Sequence, residues 1–391
     1  MRTQKAGKKT GHLGRRPPFE CIALLLQGGG ALGAYQGGVY EALAEAGIHP
    51  DWVAGISIGA INAAIIAGNA PKERIEKLRA FWEQITEPRV PGWADALGAD
   101  RFKGDAARDF ANQMSAIHTL LAGAPGFFAP RMPVPFFSPS GSSGATSYYD
   151  TAPLKATLEQ FVDFDRLNGG ETRCSVGAVN VRSGNFVYFD TASYRIGPEH
   201  IMASGALPPG FPAVEIDGQH YWDGALISNT PLNWVVDTHP RRDTLAFQVD
   251  LWSARGELPG NMTEVLTREK EIQYSSRTRA GTNAFKHGQR LRNAAADLLA
   301  KLPRRLKNTP EAKLLSSVCQ RKIYRIVHLI YRARSYEGHA KDYEFSRVSM
   351  EDHWRAGYHD TRRTLHTPEA LERPDNEEGV AVFDIAEHGN D

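Results

Sequence analysis

Cysteine is scarce in this chain. Cys21, Cys174 and Cys319 are odd in number, far apart and without metal-ligand spacing, so neither a disulfide framework nor a zinc site is expected. Long apolar runs are also missing. No stretch approaches the roughly 20 residues needed to cross a bilayer, and the basic start is followed by Pro17-Pro18-Phe19-Glu20 and only a strand-length apolar segment, which argues against a secretory leader. These absences point to the cytoplasm, with at most a peripheral place at the inner membrane face. There is no internal repeat, and the formal net charge is only +1, so overall charge names no partner.

What is present is an ordinary globular composition, 41% hydrophobic and 23% charged. The 391 residues could hold one α/β domain of about 200 to 250 residues plus a smaller region. Charge is distributed unevenly. Residues 1–17 carry Arg2, Lys5, Lys8, Lys9, Arg15 and Arg16 among glycines and threonines and read as a disordered basic arm. From Asn261 to Arg347 there are 19 Lys/Arg against 8 Asp/Glu, and beyond His366 acidic residues face Arg373 alone. The expected organisation is therefore an arm (1–17), a catalytic domain (18–256), a basic, mainly helical region (257–366) and an acidic tail (367–391).

Within 18–256 the apolar pattern alternates strand and helix. Cys21–Gln27 reads as a buried strand, Leu32–Ala46 as a helix ended by Gly47, Asp51–Ile56 as a second strand and Ile58–Ala67 as a buried helix, a parallel βαβ unit. Ala124–Ser147, crowded with Pro, Gly, Ser and Phe, reads as a long loop or cap. Strands are expected at Thr172–Asn180 and Asn185–Phe189, then a hairpin at Pro212–Trp222 turning on Asp217-Gly218. Thr244–Trp252 is the last clear strand in the pattern.

Two glycine motifs carry the chemistry. Gly28, Gly30 and Gly33 satisfy G-x-G-x-x-G after a strand and before a helix, which raises a dinucleotide fold. That fold wants an acidic residue at the end of the second strand; here Asp51 stands at its start and Ser57 at its end. A P-loop fails because no Gly-Lys-Ser/Thr follows. The second motif, Gly55-Ile56-Ser57-Ile58-Gly59, fits a nucleophile at a sharp strand-to-helix turn, beside the positive end of a helix dipole. A serine hydroxyl needs a base within reach. Residue types alone leave two options open: a histidine (His200, His220 or His239), or a carboxylate acting directly, with Asp223-Gly224-Ala225 as candidate.

Three ordered blocks resemble those of the patatin-like phospholipases: Gly28-Gly29-Gly30-Ala31-Leu32-Gly33, Gly55-Ile56-Ser57-Ile58-Gly59-Ala60, and Ala203–Pro212 running on to Asp223-Gly224-Ala225. The resemblance implies a three-layer α/β/α sandwich with a mainly parallel sheet, a C-terminal helical region, and a Ser57/Asp223 dyad. It also implies an oxyanion hole at Gly28, Gly29, Gly30 and Ala31, supported by Gly33, Gly55, Gly59, Gly224 and Ala225. His220 is then structural. The glycine loop departs from many members in having Ala31-Leu32 where they carry Arg or Lys, and Ala225 stands where glycine is common.

The implied activity is phospholipase A-like hydrolysis of an acyl ester through an acyl-serine intermediate. An acyltransferase or thioesterase would use the same residues, and a noncatalytic basic adaptor for membranes or nucleic acid is the reading from another class. The expected partners are a phospholipid or other acyl ester and an anionic membrane surface, with no nucleic acid, cofactor or metal. The phenylalanines Phe127, Phe128, Phe136 and Phe137 suit either a lid or the packing of a cap.

Overall fold

The computed structural model describes residues 16–88, 104–334 and 337–385; most of the basic arm and the last residues of the acidic tail lie outside them. Its centre is a nine-stranded sheet built from β1 (Cys21–Leu26), β2 (Trp52–Ile56), β5 (Arg173–Asn180), β6 (Phe186–Asp190), β7 (Val214–Ile216), β8 (Gln219–Asp223), β9 (Thr244–Asp250), β10 (Tyr324–Ile330) and β11 (Val380–Asp384). A separate two-stranded piece pairs β3 (Ala129–Pro130) with β4 (Tyr149–Asp150). Strands β11, β10, β9, β1, β2 and β5 lie side by side in that order, all parallel. Strands β6 and β8 add to β5 antiparallel, and β7 pairs with β8.

The central strands are buried on both faces. Alternate residues of β1 enter different cores: Ile22, Leu24 and Leu26 face one cluster, and Cys21, Ala23 and Leu25 the other, as the period of two requires. The first face is covered by α1 (Ala34–Glu45), α2 (Ile58–Ala67) and α3 (Arg74–Ile85). After α4 (Asp105–Ala122), α5 (Ala152–Phe161), α6 (Phe164–Asn168) and α7 (Pro198–Ser204), the second face is covered by α8 (Leu232–Asp237) and α9 (Met262–Lys301). Leu232, Val235 and Val236 of α8 and Phe285 of α9 supply the apolar contacts there. The fold is the expected α/β/α sandwich with a mostly parallel sheet.

The chain beyond Gly256 departs from the expected pattern. After α9, α10 (Arg304–Lys307) and α11 (Pro310–Val318), it returns to the sheet as β10 beside β9, and β11 follows from within the expected acidic tail. The strand Tyr324-Arg325-Ile326-Val327-His328-Leu329-Ile330 lies within a strongly basic stretch, and Arg325 and His328 interrupt its apolar pattern, which is why a basic helical region masked it. Arg325 nevertheless keeps its Nε on Glu372 O at 2.8 Å, and the strand body is buried.

The same region clamps the first face. Helix α12 (Arg347–Leu365) crosses α1 where both backbones are bare: a Cβ at Gly38 would collide with Trp354 O, one at Gly357 with Tyr35 O, and one at Gly37 with the Trp354 ring. Glycine within a helix costs about 0.5 to 1 kcal/mol relative to alanine, a cost offset here by close approach. Polar bonds flank the crossing, from Trp354 Nε1 to Glu41 Oε2 at 2.5 Å, Tyr35 Oη to Asp360 Oδ2 at 3.0 Å and Tyr358 Oη to Glu45 Oε2 at 2.7 Å.

Two helical glycines should therefore respond oppositely to alanine. Gly38→Ala is expected to destabilise by about 1 to 3 kcal/mol through overpacking. Gly288→Ala, where the added methyl meets only the far end of Arg292 at 3.5 Å, is expected to stabilise by about 0.5 to 1 kcal/mol. Urea denaturation of the two variants against wild type measures both.

Candidate active site

Ser57 occupies the junction of β2 and α2 with φ 55° and ψ −126°. A non-glycine residue held at positive φ costs about 1 to 3 kcal/mol, and the flanking glycines make the turn possible. A Cβ at Gly55 would strike the Gly59 carbonyl, and one at Gly59 would strike the Leu26 carbonyl. The Ser57 amide donates to Ser204 Oγ at 3.1 Å, and the Ser204 hydroxyl donates to Gly177 O at 2.7 Å. The glycine loop lies directly over the serine, since a Cβ at Gly28 would sit 3.0 Å from Ser57 Cβ.

Asp223 reaches the same place through sheet register. Strand β5 pairs with β2 up to Gly177, opposite Ile56, and with β8 from Ala178, opposite Asp223. Both Gly177 and Ala178 also pair with β6, through Tyr188 and Val187. A strand has two edges, so β2 and β8 share one edge of β5 and run into each other end to end. Ser57 leaves the tip of one and Asp223 the tip of the other. Gly224 lets the chain escape this junction, where a Cβ would come within 2.6 Å of Gly177 O and 3.1 Å of Ile56 Cγ2.

The Asp223 carboxylate is fully buried. Its Oδ1 accepts from the Ala225 amide at 2.8 Å, while Oδ2 has no fully formed hydrogen bond among the described residues. Burial pushes its pKa up from 3.8 to about 7, against the opposing pull of the Ala225 amide and the nearby Ser57 side chain. A carboxyl with that pKa can take and return a proton near neutrality.

The three histidines considered from sequence stand elsewhere. His200 accepts from the Gly197 amide through Nδ1 at 3.0 Å, His220 is half-exposed with Nε2 4.0 Å from Glu215 Oε2, and His239 is exposed. No hydrogen bond joins any of them to Ser57 or Asp223 among the described residues.

The glycine loop is only partly open. The Gly28 amide donates to Asn229 Oδ1 at 3.0 Å, and the Ala31 amide donates to Asp342 O at 2.8 Å. Of the four residues expected to supply an oxyanion hole, these two have their N–H groups occupied, while the amides of Gly29 and Gly30 make no hydrogen bond among the described residues. The physical reason is anchorage: Asn229 also donates through Nδ2 to Gly28 O at 3.1 Å, and Trp252 Nε1 donates to the same carbonyl at 3.1 Å. Gln27 Oε1 accepts from the Leu251 amide at 2.7 Å. Sequence reasoning missed Asn229, Ser204 and Gln27 as supports, although Ser204 lies within the third motif block.

Residues 24–235 match the family model described as Patatin-like phospholipase, and residues 272–377 match a second model described as Patatin phospholipase. A 58-residue stretch is 50% identical to lysophospholipase nte1 of Aspergillus terreus, covering 15% of this chain and 4% of that protein. Among solved structures, VipD from Legionella pneumophila is 14% identical with a TM-score of 0.40, over 94% of this chain and 72% of that one. Pseudomonas aeruginosa ExoU, solved in complex with SpcU, is 20% identical with a TM-score of 0.24, over 66% and 50%.

The raised pKa of Asp223 has a consequence for stability. The folded state holds a proton that the unfolded chain releases between about pH 4 and 7, so stability falls as pH rises through that window. Asp223→Asn is expected to remove that slope, with a melting temperature above wild type at pH 8 and close to it at pH 4; a thermal melt at each pH measures it. With the first motif model alone spanning more than half of its length, the chain belongs to the patatin-like phospholipase family.

Proposed function

We propose that the chain is a serine lipid acyl hydrolase that cleaves acyl esters with Ser57 as nucleophile and Asp223 as general base. The observation that carries this reading is the end-to-end meeting of β2 and β8 on β5, which brings a strained serine to a buried, proton-accepting carboxylate. Asp223 accepts the hydroxyl proton as Ser57 Oγ attacks the ester carbonyl. The oxyanion that forms is met by the amides of Gly29 and Gly30 and by that of Ile58, the first residue of α2, at the positive end of the helix. Collapse of the tetrahedral intermediate expels the alcohol or lysolipid, which takes the proton back from Asp223. Water then attacks the acyl-serine, gives a proton to Asp223 and releases the fatty acid, and Ser57 recovers its proton.

A lipid face accompanies the site. The four phenylalanines of the cap divide: Phe127 and Phe128 are buried against Phe211, Phe345 and Tyr149, whereas Phe136 and Phe137 are 82% and 81% exposed. Met132 beside them and Leu121 at the end of α4 are similarly exposed, and Tyr149 Oη ties the cap to Leu120 O at 2.9 Å. Exposed aromatic and aliphatic side chains of this kind suit insertion into an interface. The cap is joined to the catalytic segment through the Tyr148 amide on Pro209 O at 3.1 Å.

Release of fatty acid from phospholipid vesicles and from a soluble short-chain ester tests the chemistry. Ser57→Ala and Asp223→Asn are expected to lose at least a thousandfold in kcat on both substrates and His220→Ala to stay within a factor of three. The ascending limb of kcat/KM against pH should fall near 7. Equal loss in a folded His220→Ala would reject the dyad. A double change, Phe136→Ser with Phe137→Ser, is expected to lower vesicle turnover at least tenfold while leaving the soluble ester unaffected.

A further inference from the structure

A backbone N–H can serve an oxyanion only if its whole peptide is held, because the peptide is planar and its trans carbonyl points opposite to its N–H. The Gly28-Gly29 peptide is intrinsically easy to turn over. Neither residue has a Cβ, and glycine takes positive and negative φ about equally. A half-turn would put the Gly28 carbonyl where the Gly29 N–H stands and present the wrong end of the peptide dipole.

Two buried side chains hold this peptide by its carbonyl. Gly28 O accepts from Asn229 Nδ2 at 3.1 Å and from Trp252 Nε1 at 3.1 Å, so the Gly29 N–H points away from both. Asn229 is 2% and Trp252 3% exposed, and a flip would strip each buried donor of its acceptor. The Asn229 amide is fixed in its own orientation, since Oδ1 accepts from the Gly28 N–H at 3.0 Å. Neighbouring carbonyls are tied as well: Gln27 O accepts from Gln36 Nε2 at 2.7 Å, and Gly29 O from the Leu32 amide at 3.2 Å. The loop thus has its carbonyls engaged where the amides of Gly29 and Gly30 stay open.

Trp252 is in turn fixed from the part of the chain beyond Gly256. Its amide donates to Gln27 Oε1 at 3.3 Å. Its ring lies 5.3 Å from that of Tyr274 on α9, and Lys341 Nζ stands 5.3 Å from the ring centroid. Lys341 is buried and pairs with Glu271 of α9 at 2.7 Å.

We propose that Asn229 and Trp252 are positioning residues that aim the Gly29 N–H at the oxyanion, and that Trp252 is the member through which the C-terminal region supports acyl transfer. Both act through the peptide they hold. Because this role presupposes Ser57 as nucleophile, the test carries Ser57→Ala alongside.

Full-length wild type, Trp252→Phe, Asn229→Ala, the double variant and Ser57→Ala are compared on a soluble short-chain ester, each first shown to keep the wild-type circular dichroism spectrum. Trp252→Phe removes the indole N–H and keeps an aromatic ring beside Tyr274. A long-chain trifluoromethyl ketone serves as tetrahedral analogue, its affinity read by calorimetry. Ser57 Oγ adds to the ketone carbon, the serine proton passes to Asp223 and the ketone oxygen becomes the oxyanion. Each single substitution is expected to lower kcat about tenfold and the double about a hundredfold, the lower end of the loss for one oxyanion donor. KM should stay within a factor of three, while affinity for the ketone weakens by the same factors as kcat. Loosened packing alone would reduce the fraction of active molecules and leave the affinity of the remainder unchanged. A crystal structure of the double variant reads the peptide without turnover, and the Gly28 carbonyl is expected to have left its wild-type direction. Unchanged ketone affinity in all three variants, or a double variant with the peptide in its wild-type orientation, overturns the proposal. Turnover that survives Ser57→Ala, or a wild type that neither turns over nor binds the ketone, instead rejects Ser57 as nucleophile and with it the oxyanion role, while the crystal structure still decides whether the two side chains hold the peptide.

Discussion

One edge of strand β5 is shared by two strands that approach from opposite directions, and the site follows from that junction. Where β2 stops at Ile56 and β8 stops at Asp223, the backbone ladder has no further partner on that edge, and both chains must turn away at once. Every side chain larger than hydrogen is excluded from the turning points, which accounts for Gly55, Gly59 and Gly224. The junction also excludes water, so Asp223 is left with the Ala225 amide and the Ser57 side chain as its main support. Holding a carboxyl in this state costs stability, and so does holding Ser57 at positive φ. Both costs fall on the two groups proposed as nucleophile and base, a common arrangement at sites under functional constraint.

The rest of the sheet makes that junction rigid. The glycine loop is anchored by Asn229 from the segment after β8 and by Trp252 from the segment after β9, while the Asp342 carbonyl fixes Ala31 from the distant C-terminal part. The C-terminal region thus reaches the glycine loop directly, extends the sheet by two strands and packs α12 on α1. Its basic character has a structural use. Lys270 pairs with Asp342 at 2.9 Å, Lys341 with Glu271 at 2.7 Å and Lys322 with Glu20 at 2.8 Å, while Arg321 pairs with Asp297. Lys341 is buried, whereas the more exposed of these pairs, such as Arg321 with Asp297, contribute about 0 to 1 kcal/mol each and fix orientation more than they stabilise. A basic adaptor surface would leave such cations facing solvent; here several are committed to internal partners.

Local pattern and local geometry agree closely in the first 256 residues. Strands β1, β2, β5, β6 and β9 begin and end within two residues of the expected limits, and the Asp217-Gly218 turn has φ of 49° and 72°, as its residue types require. The strands β10 and β11 were not legible because Arg325 and His328 interrupt β10 within a basic stretch and β11 stands within an acidic one. A strand at that position is stabilised by pairing with β9, which no window of local sequence contains. The division of the cap phenylalanines had the same cause, since Phe127 and Phe128 are buried only because Phe211 and Phe345 come from remote parts of the chain.

By itself the sequence determined the motifs from which the candidate site is built: a serine between glycines at a strand-to-helix turn, a glycine loop after a strand, and a later Asp-Gly, each written in residues whose backbone freedom is a local property. Two matters were decided only by tertiary structure. One was how Asp223, the residue that the family resemblance implies, comes to stand beside Ser57, because proximity there depends on which edge of β5 each strand takes. The other was which loop amides remain open, because Asn229 and Asp342, about 200 and 300 residues away along the chain, occupy two of them. Spacing along a chain records neither edge nor occupancy; only pairing in three dimensions does.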